Sequence, residues 1–178
     1  MTKLWRCQIC GDGYVGDDAP DNCPFCGAHK KYIVEAKKAR VVFDISLTDT
    51  DKSNVDTALK LEISNAAFYF CASDKTDDPE GKILFKTLAK VENEHASMWR
   101  KVLKLPATPR GSEECHVNNI QNLEESYARE SKAIDFYKKA AAESKDPRIR
   151  QLFTAVIEVE MDHLALDEHY MQLAKKGE

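Results

Sequence analysis

Four cysteines close to the N-terminus have the spacing of a single metal site. They lie in two Cys-x-x-Cys-Gly motifs, at residues 7–11 and 23–27, with twelve residues between the second and third cysteine. Each motif forms a tight turn that directs two thiolates to one point, and its glycine tolerates the positive φ that such a turn tends to need. The predicted ligands are Cys7, Cys10, Cys23 and Cys26.

The size of this cysteine segment indicates why it needs a metal. About 35 residues cannot bury enough apolar surface to fold alone, so metal binding must supply much of the folding free energy. Two disulfides are the less favoured alternative, because clustered cysteines in a reducing compartment more often bind metal. The spacing alone leaves open whether the metal is Zn²⁺ in a structural ribbon or a single redox-active iron.

A second set of potential ligands interrupts the apolar faces of predicted helices in the rest of the chain. Glu62, for example, lies in the middle of the stripe that contains Leu59, Ala66 and Tyr69. An unpaired buried carboxylate is strongly destabilising, so a group of them needs compensating positive charge. The six predicted ligands of this second site are Glu62, Glu92, His95, Glu130, Glu160 and His163.

The arrangement of these six residues indicates a pair of metal ions. Two helices contribute one Glu each and the other two contribute a Glu-x-x-His pair, which is the carboxylate-bridged di-metal pattern of four-helix bundles. Carboxylate and imidazole ligands favour iron or manganese, and the charge of four carboxylates balances that of two divalent cations. The alternative is a set of solvated surface charges, which does not explain why all six lie on apolar faces.

The helices that must position these residues form a sequence repeat. Breaks at prolines divide the segment into four predicted helices, at residues 53–74, 79–104, 117–144 and 147–175. Shifting the chain by 68 residues superposes Glu62 on Glu130 and aligns the Asp-Pro pairs that precede the second and fourth helices. Each half therefore predicts a helical hairpin, and two hairpins joined by a long connection predict a four-helix bundle with a crossover.

Several other residues on these helices carry weaker predictions. Tyr69 and Tyr137 each follow a ligand Glu by seven residues, so they are predicted either to hydrogen-bond those carboxylates or to pack in the core. Asp167 follows Glu160 by seven residues and is a candidate for supporting a ligand or relaying a proton. Two further cysteines, at positions 71 and 115, are expected to be single thiols, and the sequence leaves open a bond between them.

Composition excludes several classes of protein. The chain of 178 residues is 43% hydrophobic and 31% charged, so it can build a core, and its 7 Gly and 6 Pro are too few for a turn-rich all-β fold. A net charge of −4 without a basic block argues against a nucleic-acid surface. No signal-like start and no run of apolar residues long enough to span a membrane is present, which predicts a cytoplasmic protein.

The combination of the two sites resembles the rubrerythrin family. The four cysteines look like its rubredoxin-like module, at residues 1–35, and the six bundle ligands with Tyr69 look like its ferritin-like di-iron module, at residues 53–178. Residues 36–52 are interpreted as an extended linker that packs on another surface, for example that of a partner subunit. The fold implied is an all-α ferritin-like four-helix bundle with a small N-terminal rubredoxin-like domain, the order of the reverse rubrerythrins.

This resemblance implies a peroxidase. One iron in the Cys₄ site would relay electrons to two irons in the bundle, where hydrogen peroxide is reduced to water; manganese or zinc substitution stays open. The electrons would come from an external NAD(P)H-dependent reductase or a rubredoxin, since the chain contains no Gly-rich dinucleotide motif. Such proteins are typically cytoplasmic homodimers, in which the rubredoxin-like iron of one subunit lies near the di-iron site of the other.

One departure from the family keeps alternatives open. Typical members carry an additional Glu ligand on the third bundle helix, one turn before the residue that matches Glu130, whereas here Ser126 and Tyr127 occupy that turn. A six-ligand site favours an O₂-reducing oxidase or a ferroxidase as the second hypothesis. The third hypothesis is a protein without enzymatic activity, in which a zinc ribbon precedes a bundle that binds or stores iron.

Overall fold

The computed structural model describes residues 1–176, which form a small antiparallel sheet followed by four long helices. The sheet has the strand order β2-β1-β3, with its first strand in the centre. Its strands are β1 (Lys3–Cys7), β2 (Gly13–Gly16) and β3 (Ile33–Glu35), and short 3₁₀ turns occupy Lys30–Tyr32 and Ala36–Lys38. The helices are α1 (Asp49–Lys75), α2 (Pro79–Val102), α3 (Asn119–Glu143) and α4 (Pro147–Lys176). The predicted fold class is confirmed.

Side-chain caps explain where the helices begin. Asp78 accepts a hydrogen bond from the backbone N–H of Gly81 at the start of α2, and Asp146 accepts from the N–H of Ile149 at the start of α4. In both helices a proline follows the capping aspartate, where its fixed φ suits the first helical residue. The repeated Asp-Pro pairs are therefore helix starts, as the sequence repeat predicts.

Helix α1 begins four residues earlier than the sequence periodicity predicts. Thr48 and Asp51 form a capping box, in which the Thr48 hydroxyl accepts from the Asp51 N–H and the Asp51 carboxylate accepts from the Thr48 N–H. Residues 49–52, which the sequence assigns to the linker, thus belong to α1. The helices pack as two hairpins, α1 with α2 and α3 with α4, around a core of aliphatic and aromatic side chains.

The segment between α2 and α3, residues 103–118, runs back along α1 as the predicted crossover. A Cβ atom on Gly111 would lie only 2.7 Å from the carbonyl oxygen of Ile63, so the segment packs closely on this helix. Arg129 of α3 holds the crossover there, because its guanidinium donates to Ser64 at 3.0 Å and to Glu113 at 3.2 Å.

The course of the crossover corrects one expectation. Cys71 and Cys115 were expected to be single thiols, but they form a disulfide that joins α1 to the crossover segment. Their Cα atoms are 5.8 Å apart, a separation that a disulfide spans. The expectation was wrong because 44 residues separate the two cysteines in sequence, and only the path of the crossover brings them together.

Breaking this disulfide is expected to destabilise the bundle. In the chain-entropy description, a cross-link that closes a loop of this length contributes about 4 kcal/mol to the free energy of unfolding. Replacing Cys115 by serine should therefore lower the urea midpoint of helix loss, measured by circular dichroism, and a thiol reductant should have the same effect on the unaltered protein. The double variant Cys71→Ser/Cys115→Ser is the control, since reductant should not affect it through this bond. An unchanged urea midpoint in Cys115→Ser would contradict the prediction.

Residues 39–48 connect the sheet to α1 and pack on the bundle of the same chain. The ring of Phe43 lies under the ammonium of Lys101 and the guanidinium of Arg148, 5.3 and 6.0 Å from its centroid. Ile45 is buried in the same region. The apolar residues of this segment were expected to cover another surface, and in this structure Phe43 and Ile45 pack on the bundle of the same chain. None of the described helices combines the length and apolar character required to cross a membrane.

Candidate metal centres

The two cysteine motifs meet at the end of the small sheet. Cys7 ends β1, and the glycine that closes each motif has a positive φ, +92° at Gly11 and +72° at Gly27. The sulfur atoms of Cys7 and Cys26 are 3.8 Å apart, as are those of Cys10 and Cys23. A tetrahedron with metal–thiolate bonds of about 2.3 Å has sulfur–sulfur edges of about 3.8 Å, so the four buried thiols fit one tetrahedral metal ion.

Backbone amides support this arrangement of sulfur atoms. The N–H of Ile9 points to the sulfur of Cys7, and the N–H of Asp12 points to that of Cys10, each over 3.4 Å. Hydrogen bonds of this kind stabilise a thiolate and, with an iron bound, adjust its reduction potential.

The six predicted ligands in the bundle converge on one buried site. These residues are at most 7% exposed, and their ligand atoms form two groups, each within 4.8 Å. The first group is Glu62, Glu92, His95 and Glu160, and the second is Glu92, Glu130, Glu160 and His163. Glu92 and Glu160 belong to both groups. The geometry therefore provides two adjacent metal positions with two shared carboxylates.

The oxygen atoms of the two shared glutamates are divided between the positions. Glu92 directs Oε2 to Nδ1 of His95 at 3.3 Å and Oε1 to Nδ1 of His163 at 3.1 Å. Glu160 directs Oε1 to Nδ1 of His95 at 3.5 Å and Oε2 to Nδ1 of His163 at 3.2 Å. Each carboxylate thus presents one oxygen to each position, which is the arrangement of a bridging ligand.

The carboxylate cluster is chemically incomplete without cations. Among the described residues, Glu62 Oε2, Glu130 Oε2 and both oxygens of Glu160 are buried and have no hydrogen-bond donor. Burial, followed by repulsion from Glu92, raises the pKa of Glu62 well above its ordinary value. Burial lowers the pKa of His95, but contacts with Glu160 and the neighbouring carboxylates raise it overall. Divalent cations would displace these protons and satisfy the orphaned oxygens, so the residues fit a di-metal centre.

The two tyrosines hydrogen-bond the outer carboxylates crosswise. The hydroxyl of Tyr69 on α1 donates to Glu130 on α3, and the hydroxyl of Tyr137 on α3 donates to Glu62 on α1. Each tyrosine thus contacts the glutamate of the other hairpin rather than the one seven residues before it. Both rings are also fully buried in the core, so the two roles considered from the sequence occur together.

The Cys₄ site lies directly against the carboxylate cluster. Nε2 of His95 is 3.0 Å from the carbonyl oxygen of Cys26. Because a carbonyl can only accept a hydrogen bond, Nε2 carries the proton, and Nδ1 of the neutral ring keeps its lone pair for a metal ion. One hydrogen bond therefore joins a predicted ligand of the first centre to a predicted ligand of the second. The resemblance implied such proximity between subunits, whereas here it occurs within one chain.

Polar contacts and one close approach hold the small domain in this position. His29 and Lys31 contact Asp162 and Glu158 of α4 at 2.7 and 2.5 Å. Arg148 donates to the carbonyl oxygen of Gln8 at 2.6 Å and Lys101 to that of Cys10 at 3.2 Å. A Cβ atom on Gly27 would lie 2.7 Å from Val159 Cγ1, so only glycine permits this approach.

Two supporting side chains were missed from the sequence. Trp99 donates to the hydroxyl of Tyr137 at 3.2 Å, and Ser126 donates to Asp167 at 2.6 Å while also contacting the hydroxyl of Tyr69 at 2.9 Å. The sequence repeat contains a signal for the contact between Ser126 and Asp167. The shift of 68 residues places these two polar residues where the first half of the repeat has Ala58 and Trp99.

Comparisons with known proteins agree with this geometry. The family model for rubrerythrin matches residues 53–171, and that for the rubredoxin-like domain of rubrerythrin matches residues 5–34. Reverse rubrerythrin-1 of Clostridium acetobutylicum is 29% identical over 116 residues, which cover 57% of this chain and 62% of that relative. The chain thus spans less than two thirds of this relative's length. A hypothetical protein from Pyrococcus furiosus, Pfu-1136390-001, has the same fold, with a TM-score of 0.60, 18% identity, and coverage of 72% of this chain and 92% of its own.

Proposed function

Because the chain belongs to the rubrerythrin family and has its rubredoxin-like domain first, we propose that it reduces hydrogen peroxide to water with electrons that pass through the Cys₄ site. In this proposal, one iron binds to the Cys₄ site and two irons bind to the carboxylate cluster. The electrons come from an external NAD(P)H-dependent reductase or a rubredoxin. We also propose that the protein is a cytoplasmic homodimer, as the family resemblance implies.

The observation that carries this proposal is the hydrogen bond between Cys26 and His95. A zinc ribbon with a purely structural role would not need to lie against the ligands of a second metal site. Here the small domain is positioned so that a proposed ligand of its metal is hydrogen-bonded to a proposed ligand of the other centre. The hydrogen bond and the imidazole ring provide a short connection between the two proposed irons.

When bound, the paired irons would supply two electrons and act as Lewis acids on the O–O bond of peroxide. The chain prepares the site for this chemistry in three ways. Glu92 and Glu160 each offer one oxygen to each metal position, and the hydroxyls of Tyr69 and Tyr137 fix the outer carboxylates. The apolar residues around the cluster exclude bulk water, which strengthens electrostatic interactions at the reacting centre.

Reduction of O₂ is the second candidate function. Ser126 and Tyr127 lie one turn before Glu130, and Ala133 and Ile134 lie one turn after it. None of these four residues is a carboxylate, so α3 offers no further carboxylate within one turn of Glu130 on this face. This observation supports a six-ligand set, which favours an oxidase or a ferroxidase.

Anaerobic rapid mixing tests the proposal against this alternative. The iron-loaded protein is fully reduced and mixed with equal concentrations of hydrogen peroxide or O₂, and oxidation of both centres is followed by visible absorption. Faster oxidation by peroxide is expected, whereas much faster oxidation by O₂ would favour the oxidase. Metal analysis accompanies the experiment, because zinc in the Cys₄ site and bands that do not bleach with reductant would favour the iron-storage hypothesis.

The close approach at Gly27 leads to a further prediction. In Gly27→Ala the new methyl group collides with Val159 and displaces the Cys₄ site from His95, since a Cβ would lie 2.7 Å from Cγ1. A misplacement of about 1 Å can slow a reaction by about 10²-fold. We therefore expect re-reduction of the bundle irons through the Cys₄ site to slow by about this factor in single-turnover absorption measurements, with iron content unchanged.

Gly11→Ala is the matched control for this variant. Gly11 also has a positive φ and follows a Cys-x-x-Cys pair, but a Cβ there would face Val41 at 3.2 Å, in the linker rather than on α4. Both variants carry the cost of an alanine at positive φ, about 1–2 kcal/mol. Equal rates of re-reduction in the two variants would contradict the role assigned to the Gly27 contact.

A further inference from the structure

The side-chain amide of Asn65 on α1 is a buried hydrogen-bond donor without an acceptor. The residue is 3% exposed, and its amide nitrogen Nδ2 is buried with no hydrogen-bond partner among residues 1–176. The other buried side-chain atoms without a partner in this part of the chain are carboxylate oxygens and Nδ1 of His163, a predicted metal ligand. Asn65 is therefore the buried amide whose N–H groups are still available to an acceptor.

The position of Asn65 on α1 places it beside the carboxylate cluster. It follows Glu62 by three residues and precedes Tyr69 by four, and residues at these spacings share one face of a helix. Glu62 belongs to the first group of predicted ligands, and Tyr69 donates to Glu130 in the second group. The face of α1 that carries Asn65 is therefore the face that extends along both metal positions.

The hydrogen bonds between α1 and α3 place Asn65 between the two outer carboxylates. Tyr69 donates to Glu130 and Tyr137 donates to Glu62, so the two helices run antiparallel at the site. In this register Asn65 lies between the level of Glu62 and the level of Glu130.

The sequence repeat has an alanine at the equivalent place on α3. A shift of 68 residues superposes Asn65 on Ala133, which is also buried. The alanine shows that a small apolar side chain is compatible with this place in a hairpin. A buried amide without a partner is unfavourable by comparison, because it has lost its hydrogen bonds to water. The asparagine therefore indicates a role other than packing.

Three other donors at the bundle site are already engaged. The hydroxyls of Tyr69 and Tyr137 donate to the outer carboxylates, and Nε2 of His95 donates to the carbonyl oxygen of Cys26. An anionic ligand that enters a cluster of carboxylates is repelled by their charge. A hydrogen bond from an available donor offsets part of this repulsion, and Asn65 can provide it.

We propose that Asn65 binds the oxidant at the bundle site by donating a hydrogen bond from Nδ2 to an oxygen atom of peroxide. The inference rests on the proposed function, because it assigns a substrate contact within the same site. A peroxide oxygen accepts hydrogen bonds, which ionised carboxylates cannot donate. The amide is neutral and keeps its protons, so Asn65 orients the oxidant and takes no part in proton transfer.

Azide is the probe for this contact, because it is a small anion that accepts hydrogen bonds and binds ferric iron without being consumed. Its binding to the oxidised, iron-loaded protein is titrated by visible absorption, and infrared spectroscopy records the stretching band of the bound azide. Asn65→Leu removes the donor at nearly constant volume. A hydrogen bond to a charged group contributes about 10- to 100-fold in affinity, so we expect the azide Kd to rise by this factor and the band to shift.

Asn65→Ala is titrated in parallel, so that a packing fault of leucine is not mistaken for loss of the donor. It reproduces the residue at the repeat-related position 133, and the same rise in the azide Kd is expected. An azide Kd and an infrared band equal to those of the unaltered protein in both variants would overturn the proposal.

Asn122→Leu is the matched control. Asn122 is also buried, on α3, but both polar atoms of its side chain are bonded to the backbone of His116. This variant should lower the urea midpoint of helix loss and leave the azide Kd unchanged. The Asn65 variants should keep the urea midpoint and the iron content, because Nδ2 of Asn65 donates to no described residue. A urea midpoint lowered as far as in Asn122→Leu would assign Asn65 a structural role and overturn the proposal.

Oxidation of the reduced protein by peroxide is the second measurement. Both Asn65 variants are expected to react about 10- to 100-fold more slowly, since the same hydrogen bond is lost. An unchanged rate would overturn the contact with peroxide. If the unaltered protein itself fails to react with peroxide, the proposed function fails, and the azide titration still decides whether Asn65 contacts a ligand at the metal site.

Discussion

Replacing Glu92 by alanine is expected to remove both metal ions from the bundle and to reduce peroxide consumption by about 10³-fold or more. Glu92 presents one oxygen to His95 and the other to His163, so it serves both metal positions. When the metal ions are lost, the remaining buried carboxylates no longer have cations to balance their negative charge. A loss of several kcal/mol of Lewis-acid stabilisation corresponds to this factor in rate.

The measurement is the iron content per chain together with the rate of peroxide consumption. Glu62→Ala is the matched control, because Glu62 belongs only to the group that contains His95. We expect this variant to lose one bundle metal preferentially, whereas Glu92→Ala should retain only the Cys₄ iron. Retention of both bundle metals by Glu92→Ala would show that this carboxylate does not bridge them.

Replacing Cys10 by alanine is expected to abolish turnover while the reduced bundle irons still react once with peroxide at the normal rate. The variant loses one of four thiolates, and the small domain depends on its metal for folding. The six predicted bundle ligands lie on α1–α4 rather than in the small domain. The first oxidation uses electrons already present in the bundle, but every later cycle needs the Cys₄ iron.

Two assays separate these outcomes. Steady-state peroxide consumption with NADH and an NADH-dependent rubredoxin reductase measures turnover, and rapid mixing of the chemically reduced variant measures the single oxidation. The double variant Cys71→Ser/Cys115→Ser controls for loss of cysteine elsewhere in the chain and should turn over normally. Normal turnover by Cys10→Ala would show that electrons enter the bundle without the Cys₄ iron.

Local sequence patterns predicted much of the fold. The Asp-Pro pairs mark the starts of α2 and α4, because capping and proline geometry are determined by neighbouring residues. The apolar periodicity placed the ligand glutamates on inward-facing helix surfaces, and the repeat predicted two hairpins. The start of α1 was predicted less well, because its capping box lies in a stretch without helical periodicity.

Features that depend on tertiary packing could not be predicted in the same way. The disulfide between Cys71 and Cys115 depends on the path of the crossover, and the position of the small domain depends on contacts between residues such as His29 and Asp162. The crosswise bonding of the tyrosines follows from the way the hairpins face each other. The contacts that link Glu130, Tyr69, Ser126 and Asp167 leave only one trace in the sequence. Ser126 and Asp167 are polar at repeat positions where the first half has Ala58 and Trp99.

The proposed passage of electrons from the Cys₄ iron to the bundle across the Cys26–His95 contact can be tested in one rapid-mixing experiment. Fully reduced protein is mixed anaerobically with peroxide, and the absorption of the ferric Cys₄ site is followed over time, with Glu92→Ala in parallel. We predict that the ferric band appears after oxidation of the bundle irons, at a rate independent of protein concentration, and that Glu92→Ala stays ferrous over the same period. The same rate of appearance in Glu92→Ala, or a Cys₄ iron that stays ferrous in the unaltered protein, would contradict this passage of electrons.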